Sequence, residues 1–353
     1  MQNLTGIFTK IKGLQGLIVC LLMMASCDKT PEQIIAETPQ LPDSNLVGMY
    51  VANEGNFQWG NASLSFYNPV SGLVQTDIYK AHNGKGIGDV LQSVYTYQDK
   101  LYLVVNNSQK ISVLDTKTWK EIHTITGFNS PRYFLPVSAQ KAYVSDLYEN
   151  AVYVLNLNTQ QISGKIKCSG WTEEMVLLSN KALVCGVESP YVYVINTSTD
   201  QIEDSVHIGY GAQYMRKDLA NNIWVLSNGK APILPSLTKI NADGEIALQL
   251  WFKNGDMPRR LEINEEKNQL FWINKDVYTL FVNDTLLPNQ ALITAGSKNF
   301  YALGYEPYNK EILVSDAKDY VQKSEVFRYS LSGQFKGSFH TQINTGNFYA
   351  RTK

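Results

Sequence analysis

Short runs of alternating apolar and polar residues recur along most of the chain. Each strand-like run is followed by a second alternating run, a turn, and two further runs before the next copy begins. The copies of the first run are GMYVA from Gly48, KLYLV from Lys100, KAYVS from Lys141, KALVC from Lys181, NIWVL from Asn222, QLFWI from Gln269 and EILVS from Glu311. Because a side-chain period of two belongs to strands, the pattern predicts β-structure and excludes helical repeats.

The spacing of these copies predicts the architecture. Successive copies begin 40 to 52 residues apart, and each interval holds four short strands separated by turn residues. Four strands in such a repeat are typical of a β-propeller blade, and a closed ring buries both faces of every blade. We therefore expect an all-β, seven-bladed propeller of four-stranded antiparallel blades, in which the last run, from about Gly346, completes the first blade. A double β-sandwich is the alternative, but it gives no reason for so regular a repeat.

The beginning of the chain has the features of an export signal. Lys10 and Lys12 precede an apolar run at 14–24, and small residues lead directly to Cys27. This arrangement resembles the bacterial lipobox, in which the cysteine is lipidated after cleavage; an ordinary signal peptide beside a chance cysteine is the alternative. The sequence is thus expected to contain a lipoprotein signal peptide at 1–26, a lipidated Cys27 with a flexible tether at 27–45, and the propeller at 46–353.

Composition restricts the classes of partner. Lys and Arg number 31 against 32 Asp and Glu, so the net charge of −1 gives no electrostatic basis for binding nucleic acid. The 21 tyrosines suit half-buried strands and also a ligand surface. Trp224, Phe271 and Trp272 lie inside strand patterns and are predicted to be core. Cys168 and Cys185 also lie in strand-like runs, which favours free thiols over a disulfide.

Candidate binding residues lie in two kinds of segment that a propeller gathers on one face around its axis. These are the loops between second and third strands and the segments that lead into inner strands. The candidates are Asn53, Glu54, Asn56, Trp59, Asn106, Arg132, Tyr133, Asp146, Tyr148, Trp171, Glu173, Tyr214, Arg259, Tyr301 and Tyr349. Amides and aromatic rings of this kind suit a large, mostly uncharged ligand. The alternative is that these residues only shape turns and pack between blades.

Sequence support for catalysis is weak. No nucleophile elbow, zinc-protease motif or phosphate-binding loop occurs, and the histidines are scattered at His82, His123, His207 and His340. Glu173 and Glu174 are adjacent, so in a strand they face opposite ways and form no acid–base pair. Arg259 and Arg260 could hold a phosphate or form an ion pair at the rim. We therefore predict no catalytic residue, no metal site and no catalytic cofactor.

Several stretches resemble the YncE-like surface-lipoprotein propellers of gut Bacteroidetes. They are NEGNFQWGNASLSFYNP, VVNNSQKISVLD, SPRYF, AYVSDLYENAVYVLN and WTEEMV. The resemblance is strongest from Asn53 to about Asp200 and weakens from Lys230 to Tyr329. Within that group, the sequence is similar to the BtuG-type proteins, which capture vitamin B12.

What the resemblance implies is a lipid-anchored protein on the outer membrane that faces the cell exterior. It is expected to bind cobalamin or another corrinoid as ligand and to deliver it to a TonB-dependent outer-membrane transporter of the BtuB type. Two alternatives stay open at this point: a lactonase or lyase on the same frame, and an adhesive or structural surface protein.

Overall fold

The alternating runs form β-strands, and the strands group into seven separate antiparallel sheets. The computed structural model describes residues 48–351 of the chain. Within each sheet, strands that follow one another in sequence pair with one another, as short turns between alternating runs require. The predicted seven-bladed β-propeller is confirmed.

The blades are numbered in chain order, and their elements are as follows. Blade 1 contains β1 (Gly48–Asn53), β2 (Ser63–Tyr67) and β3 (Val74–Gln75), and is followed by α1 (Ile78–Asn83). Blade 2 contains β4 (Leu91–Tyr97), β5 (Lys100–Val105), β6 (Lys110–Asp115) and β7 (Glu121–Thr126). Blade 3 contains β8 (Pro131–Ser138), β9 (Lys141–Asp146), β10 (Ala151–Asn156) and β11 (Gln161–Lys167). Blade 4 contains β12 (Thr172–Leu178), β13 (Lys181–Gly186), β14 (Tyr191–Asn196) and β15 (Gln201–His207).

The remaining blades continue the same order. Blade 5 contains β16 (Ala212–Lys217), β17 (Ile223–Ser227), β18 (Ser236–Ile240) and β19 (Ile246–Trp251). Blade 6 contains β20 (Arg259–Ile263), β21 (Gln269–Asn274) and β22 (Asp276–Phe281). Blade 7 contains β23 (Phe300–Glu306), β24 (Glu311–Asp316), β25 (Lys323–Ser330) and β26 (Phe335–Ile343), and the chain then forms β27 (Thr345–Arg351).

Strand β27 closes the ring. It pairs antiparallel with β1 as the innermost strand of blade 1, with Phe348 opposite Val51. The inner strands β27, β4, β8, β12, β16, β20 and β23 each contact the next, and β23 contacts β27 in turn. The first blade is therefore built from both ends of the described chain, as the last alternating run predicts.

Blade 6 departs from its neighbours at its outer edge. After β22 the chain turns away, and the fourth position is occupied by a single bridge between Val277 and Ile293. Asp284 accepts a hydrogen bond from the amide of Phe281 in that turn, at 3.0 Å. Pro288 follows and has no amide hydrogen to donate to a strand ladder. These residues explain why regular pairing stops there.

The hydrophobic core lies between adjacent blades. The rings of Tyr102 in blade 2 and Phe134 in blade 3 stack with centroids 4.2 Å apart. Trp224, Phe271 and Trp272 are buried, so the prediction that they are core is confirmed. Burying each such side chain stabilises the fold by roughly 1.5–3 kcal/mol.

Helix α1 accounts for the longest interval between copies, the 52 residues from Gly48 to Lys100. Its N-cap is Asp77, whose carboxylate accepts a hydrogen bond from the amide of Lys80. The helix buries Ile78, Tyr79 and His82 against the first two blades.

Several sequence predictions fall outside the described residues. These are the signal peptide at 1–26, the lipidated Cys27 and the tether at 27–45. Within residues 48–351, Cys168 and Cys185 are buried free thiols. Among the helices of that part, none has both the length and the hydropathy needed to cross a membrane.

Candidate functional site

A cavity of about 880 Å³ opens on the axis at the end where the inner strands begin, and we call it the upper cavity. Its walls come from the segments that lead into inner strands and from loops between second and third strands. It is lined by Glu54, Gly55, Phe57, Val90, Gln92, Asn106, Arg132, Leu147, Tyr148, Gln213, Tyr214, Asn228, Gly255, Met257, Pro258, Arg259, Arg260, Asn274, Lys275, Lys298, Asn299, Phe300, Tyr301 and Asn344.

One half of the floor is an ion pair between blades 3 and 4. The guanidinium of Arg132 donates from Nε to Glu173 Oε1 at 2.9 Å and from Nη1 to Gln92 Oε1 at 2.5 Å. Burial lowers the pKa of Arg132, but Glu173, Tyr133 and Glu54 together raise it by more, so the net shift is upward. Arg132 therefore stays charged, and its bonds to Glu173 and Gln92 fix the guanidinium plane on the floor.

The other half of the floor is built around Arg260. Its guanidinium lies 3.6 Å from Glu54 Oε1 and sits over the rings of Tyr214 and Tyr301, at 5.8 and 5.4 Å from their centroids. The hydroxyl of Tyr301 donates to Glu54 Oε2 at 2.7 Å. Burial, together with the Glu54 carboxylate, raises the pKa of Tyr301. A Cβ at position 346 would stand 2.0 Å from Glu54 Oε1, so the Glu54 carboxylate keeps this position only while residue 346 is glycine.

A second cavity of about 530 Å³, the lower cavity, opens at the other end of the axis. Below the floor, Arg216 donates to Glu174 Oε2 at 2.7 Å and to Glu262 Oε1 at 3.0 Å, and all three residues line this lower cavity. Burial raises the pKa of Glu174, against the lowering effect of Arg216. The layer of ion pairs thus lies between the two cavities.

Seven of the predicted residues line the upper cavity: Glu54, Asn106, Arg132, Tyr148, Tyr214, Arg259 and Tyr301. An eighth, Glu173, is bound to Arg132 directly beneath it. The structure therefore brings together residues from blades 1, 2, 3, 5, 6 and 7 that are far apart in sequence.

The upper-face prediction is wrong for two residues. Tyr133 and Tyr349 line the lower cavity. Tyr349 is the fifth residue of β27, and its ring packs 5.2 Å from that of Tyr95. At about 3.3 Å of rise per residue, Tyr349 lies some 13 Å along the strand from Thr345, which brings it to the lower cavity.

Two further candidates hold loops in place. Asn53 is fully buried and donates to Ser65 Oγ at 3.0 Å, while Thr345 donates to Asn53 Oδ1 at 2.7 Å. Asp146 accepts hydrogen bonds from the amides of Ser130 and Tyr148, at 2.7 and 3.0 Å. Both side chains use their polar atoms within the fold, as the structural alternative predicts.

The last three candidates lie in the upper loops but outside the cavity lining. Asn56 donates to the carbonyl of Tyr320, which joins two of these loops. Trp59 is 76% exposed. Trp171 contacts Tyr148 edge to face, with centroids 5.8 Å apart, and so supports a residue that does line the cavity.

Sequence reasoning missed Gln92, Gln213, Met257, Lys275 and Lys298, which also line the upper cavity. Gln92 and Gln213 each occupy the second position of an inner strand, as Arg132 does, and that shared position was the available signal. The charged lining residues are the cations Arg132, Arg259, Arg260, Lys275 and Lys298 and one acid, Glu54. The lining is therefore more cationic than the amide and aromatic surface that the sequence predicts.

The next question is whether side chains that could bind a metal ion lie close together. Across residues 48–351 no group of three or more His, Cys, Asp or Glu side chains is placed to hold a metal ion.

Comparison with known proteins gives a family and a set of structural neighbours. A family described as "Domain of unknown function (DUF5074)" matches residues 47–350. A search of curated proteins finds no match.

Among solved structures, three resemble this chain over 86% of its length. A quinonprotein alcohol dehydrogenase-like protein from Bacteroides thetaiotaomicron has 13% identity and a TM-score of 0.66 over 78% of its own chain. A periplasmic gluconolactonase of Pseudomonas aeruginosa has 11% identity and a TM-score of 0.61 over 98%. A protein from Lactobacillus plantarum has 11% identity and a TM-score of 0.66 over 99%. Identities this low show a shared fold and nothing further.

Proposed function

The chain belongs to the family described as a domain of unknown function, DUF5074, and from its upper cavity we propose that it captures cobalamin or a related corrinoid. The observation that carries the proposal is the size and position of that cavity, about 880 Å³ and open on the axis. Small-molecule sites span roughly 300–1,000 Å³, so this volume suits a large guest. The resemblance to BtuG-type propellers supports the choice of a corrinoid.

The chemistry of the mouth supports capture of a bulky guest. Tyr148, Met257 and Phe57 line the cavity and are exposed at its rim, by 59, 78 and 63%. Exposed apolar side chains beside a cavity offer contact area to a bulky ring system. Because closely packed blades hold the walls of the cavity in place, such a site is expected to lose little conformational entropy on binding.

Calorimetric titration of the purified protein with cyanocobalamin tests this function. We expect saturable binding, weakened by about 1–3 kcal/mol in Tyr148→Ala because a stacking side chain is removed from the wall. Trp171→Ala should cause a smaller loss, since Trp171 contacts Tyr148 but does not line the cavity.

Tyr308→Ala is the matched control. Tyr308 is 57% exposed, like Tyr148, but follows Pro307 of the lower cavity. Equal losses in Tyr148→Ala and Tyr308→Ala would show that the upper cavity is not the site. The absence of any heat at micromolar protein would reject a corrinoid ligand. A stoichiometric calcium or manganese content without corrinoid binding would instead favour the lactonase or lyase alternative.

Anchoring and delivery belong to the same proposal. Cys27, outside the described residues, would carry the lipid that holds the propeller at the outer membrane, facing the exterior. The partner would be a TonB-dependent transporter that receives the ligand. Three large apolar residues are exposed in the upper loops: Phe57, Trp59 and Val321. They offer the transporter a contact surface around the mouth of the upper cavity, through which the ligand would leave.

A further inference from the structure

One wall of the upper cavity carries three cations that pair with no carboxylate anywhere in residues 48–351. They are Arg259 at the start of β20, Lys275 between β21 and β22, and Lys298 two residues before β23. We call these residues the cationic wall. The two arginines of the floor differ from them, because each faces a glutamate.

The three cations belong to one sector of the ring. Arg259 donates to the carbonyl of Phe300 at 2.5 Å, which links blade 6 to the segment that contains Lys298. Arg259 also lies opposite Ile273, two residues before Lys275, in the pairing of β20 with β21. The positive charges are therefore gathered on blades 6 and 7 rather than spread around the mouth.

Carboxylates close to the cationic wall in sequence are already engaged by neutral donors. Asp256 accepts hydrogen bonds from the Lys253 amide at 2.8 Å and from the Asn274 side chain at 2.9 Å. Asp276 accepts one from the Ala295 amide at 2.7 Å. Neither carboxylate lies within ion-pair distance of the cationic wall, whereas the two floor arginines each have a glutamate partner.

We propose that the cationic wall binds a phosphate or carboxylate group of the molecule held in the upper cavity. An arginine and two lysines provide donors that match such an oxyanion. Met257, 78% exposed and only two residues before Arg259, places apolar surface beside the charge. The guest is therefore an amphipathic molecule with an anionic group. This inference rests on the proposed function in taking the upper cavity as the ligand site.

A comparison of two corrinoids tests the inference. Cyanocobalamin carries a phosphodiester within its nucleotide loop, whereas dicyanocobinamide lacks both the phosphate and the nucleotide. We expect the native protein to prefer cyanocobalamin. The variant Lys275→Gln/Lys298→Gln, which leaves the Arg259 contact with Phe300 intact, should bind cyanocobalamin about ten- to a hundredfold more weakly. Its affinity for dicyanocobinamide should stay near the native value, so that the preference largely disappears.

Two controls separate this effect from damage to the fold and from general loss of charge. Lys230→Gln removes an exposed cation from the loop between β17 and β18, outside the cavity lining, and should leave both affinities unchanged. Thermal unfolding of each variant should match that of the native protein. Added salt should weaken cyanocobalamin binding to the native protein more than to the double variant.

The outcomes distinguish this inference from the proposed function. If both corrinoids bind and the double variant keeps the native preference, the cationic wall is not an anion site, although corrinoid capture stands. If neither corrinoid binds, capture of a corrinoid is rejected, and the sulfonate probe 8-anilinonaphthalene-1-sulfonate then decides about the wall. Probe binding that is weakened in the double variant but not in Lys230→Gln supports the anion site, and equal binding in all three proteins overturns it.

Discussion

Glu54 and Arg260 meet on the floor of the upper cavity because a neighbouring inner-strand residue has no side chain. A Cβ on Gly346 would lie 2.0 Å from Glu54 Oε1, well inside contact distance. The glycine therefore leaves room for a carboxylate that faces Arg260 and accepts the Tyr301 hydroxyl. The Arg260 side chain is only 12% exposed, and the Glu54 carboxylate offsets the cost of burying its charge.

Gly346→Ala should destabilise the protein by about 1–3 kcal/mol, the usual cost of forcing extra atoms into a packed site. Glu54 has to move, and its contact with Arg260 weakens. Urea unfolding measures the loss. The control is Gly86→Ala, where the nearest heavy atom to the new Cβ is 3.8 Å away. Equal urea midpoints of unfolding for Gly346→Ala and Gly86→Ala would contradict the argument that the added Cβ clashes with Glu54.

At the scale of elements, the inner strands show what the sequence could predict and what it could not. Alternating runs and turn residues predict the blades, the closing strand and the loops of the upper face. All seven inner strands, however, have a register irregularity close to their first residues, such as that between Leu91 and Ser93 in β4. A bulge shifts the alternation by one residue, so the period of two no longer says which side chains face the axis.

The site residues differ in how their positions could be recognised. Tyr148 and Glu54 come from loops, where turn residues mark their position in the sequence. Gln92 lies beside the bulge at the start of β4, at the same strand position as Arg132, and that shared position was the one signal that could have identified it. Tyr349 was placed at the wrong end because its motif, NFYA, extends along the strand from the upper face to the lower. Lys275 and Lys298 lie next to the ends of strands in different blades. Only the closed ring shows that these strand ends come together at the upper cavity.

Helix α1 carries a histidine whose burial should make stability depend on pH. His82 is buried against Trp119, with ring centroids 5.2 Å apart, and its Nε2 has no hydrogen-bond partner. Burial, aided by the nearby Lys120, lowers its pKa below the usual 6.5. The unfolded chain therefore binds a proton at a higher pH than the folded protein does.

The expected result is a loss of stability as pH falls from above 6.5 through the lower pKa of His82 in the folded protein. The loss of stability caused by His82 is absent at pH values above 6.5 and complete at pH values below the pKa of His82 in the folded protein. Urea midpoints measured across the range should fall less steeply for His82→Gln than for the native protein. His123→Gln, which replaces an exposed histidine of β7, is the control. A slope unchanged in His82→Gln would show that other groups produce the pH dependence.

At the scale of the whole molecule, stability depends on the joint between the first and last blades. Phe348 of β27 lies opposite Val51 and packs in one cluster with Ala302 and Leu313 of blade 7. Phe348 also packs against Gly304 of β23, where an added Cβ would stand 2.6 Å from the Phe348 Cβ. One side chain thus packs across the boundary at which the ring closes.

Phe348→Ala should lower the free energy of unfolding by about 3–5 kcal/mol, because it removes a buried ring and leaves a cavity at the closure. Phe335→Ala, at a position 55% exposed on the outer strand of blade 7, should cost far less. Chemical denaturation of both variants makes the comparison. Because β27 is the strand that joins the last part of the described chain to blade 1, a loss in Phe348→Ala no larger than that in Phe335→Ala would mean that packing at this joint contributes little to the stability of the ring.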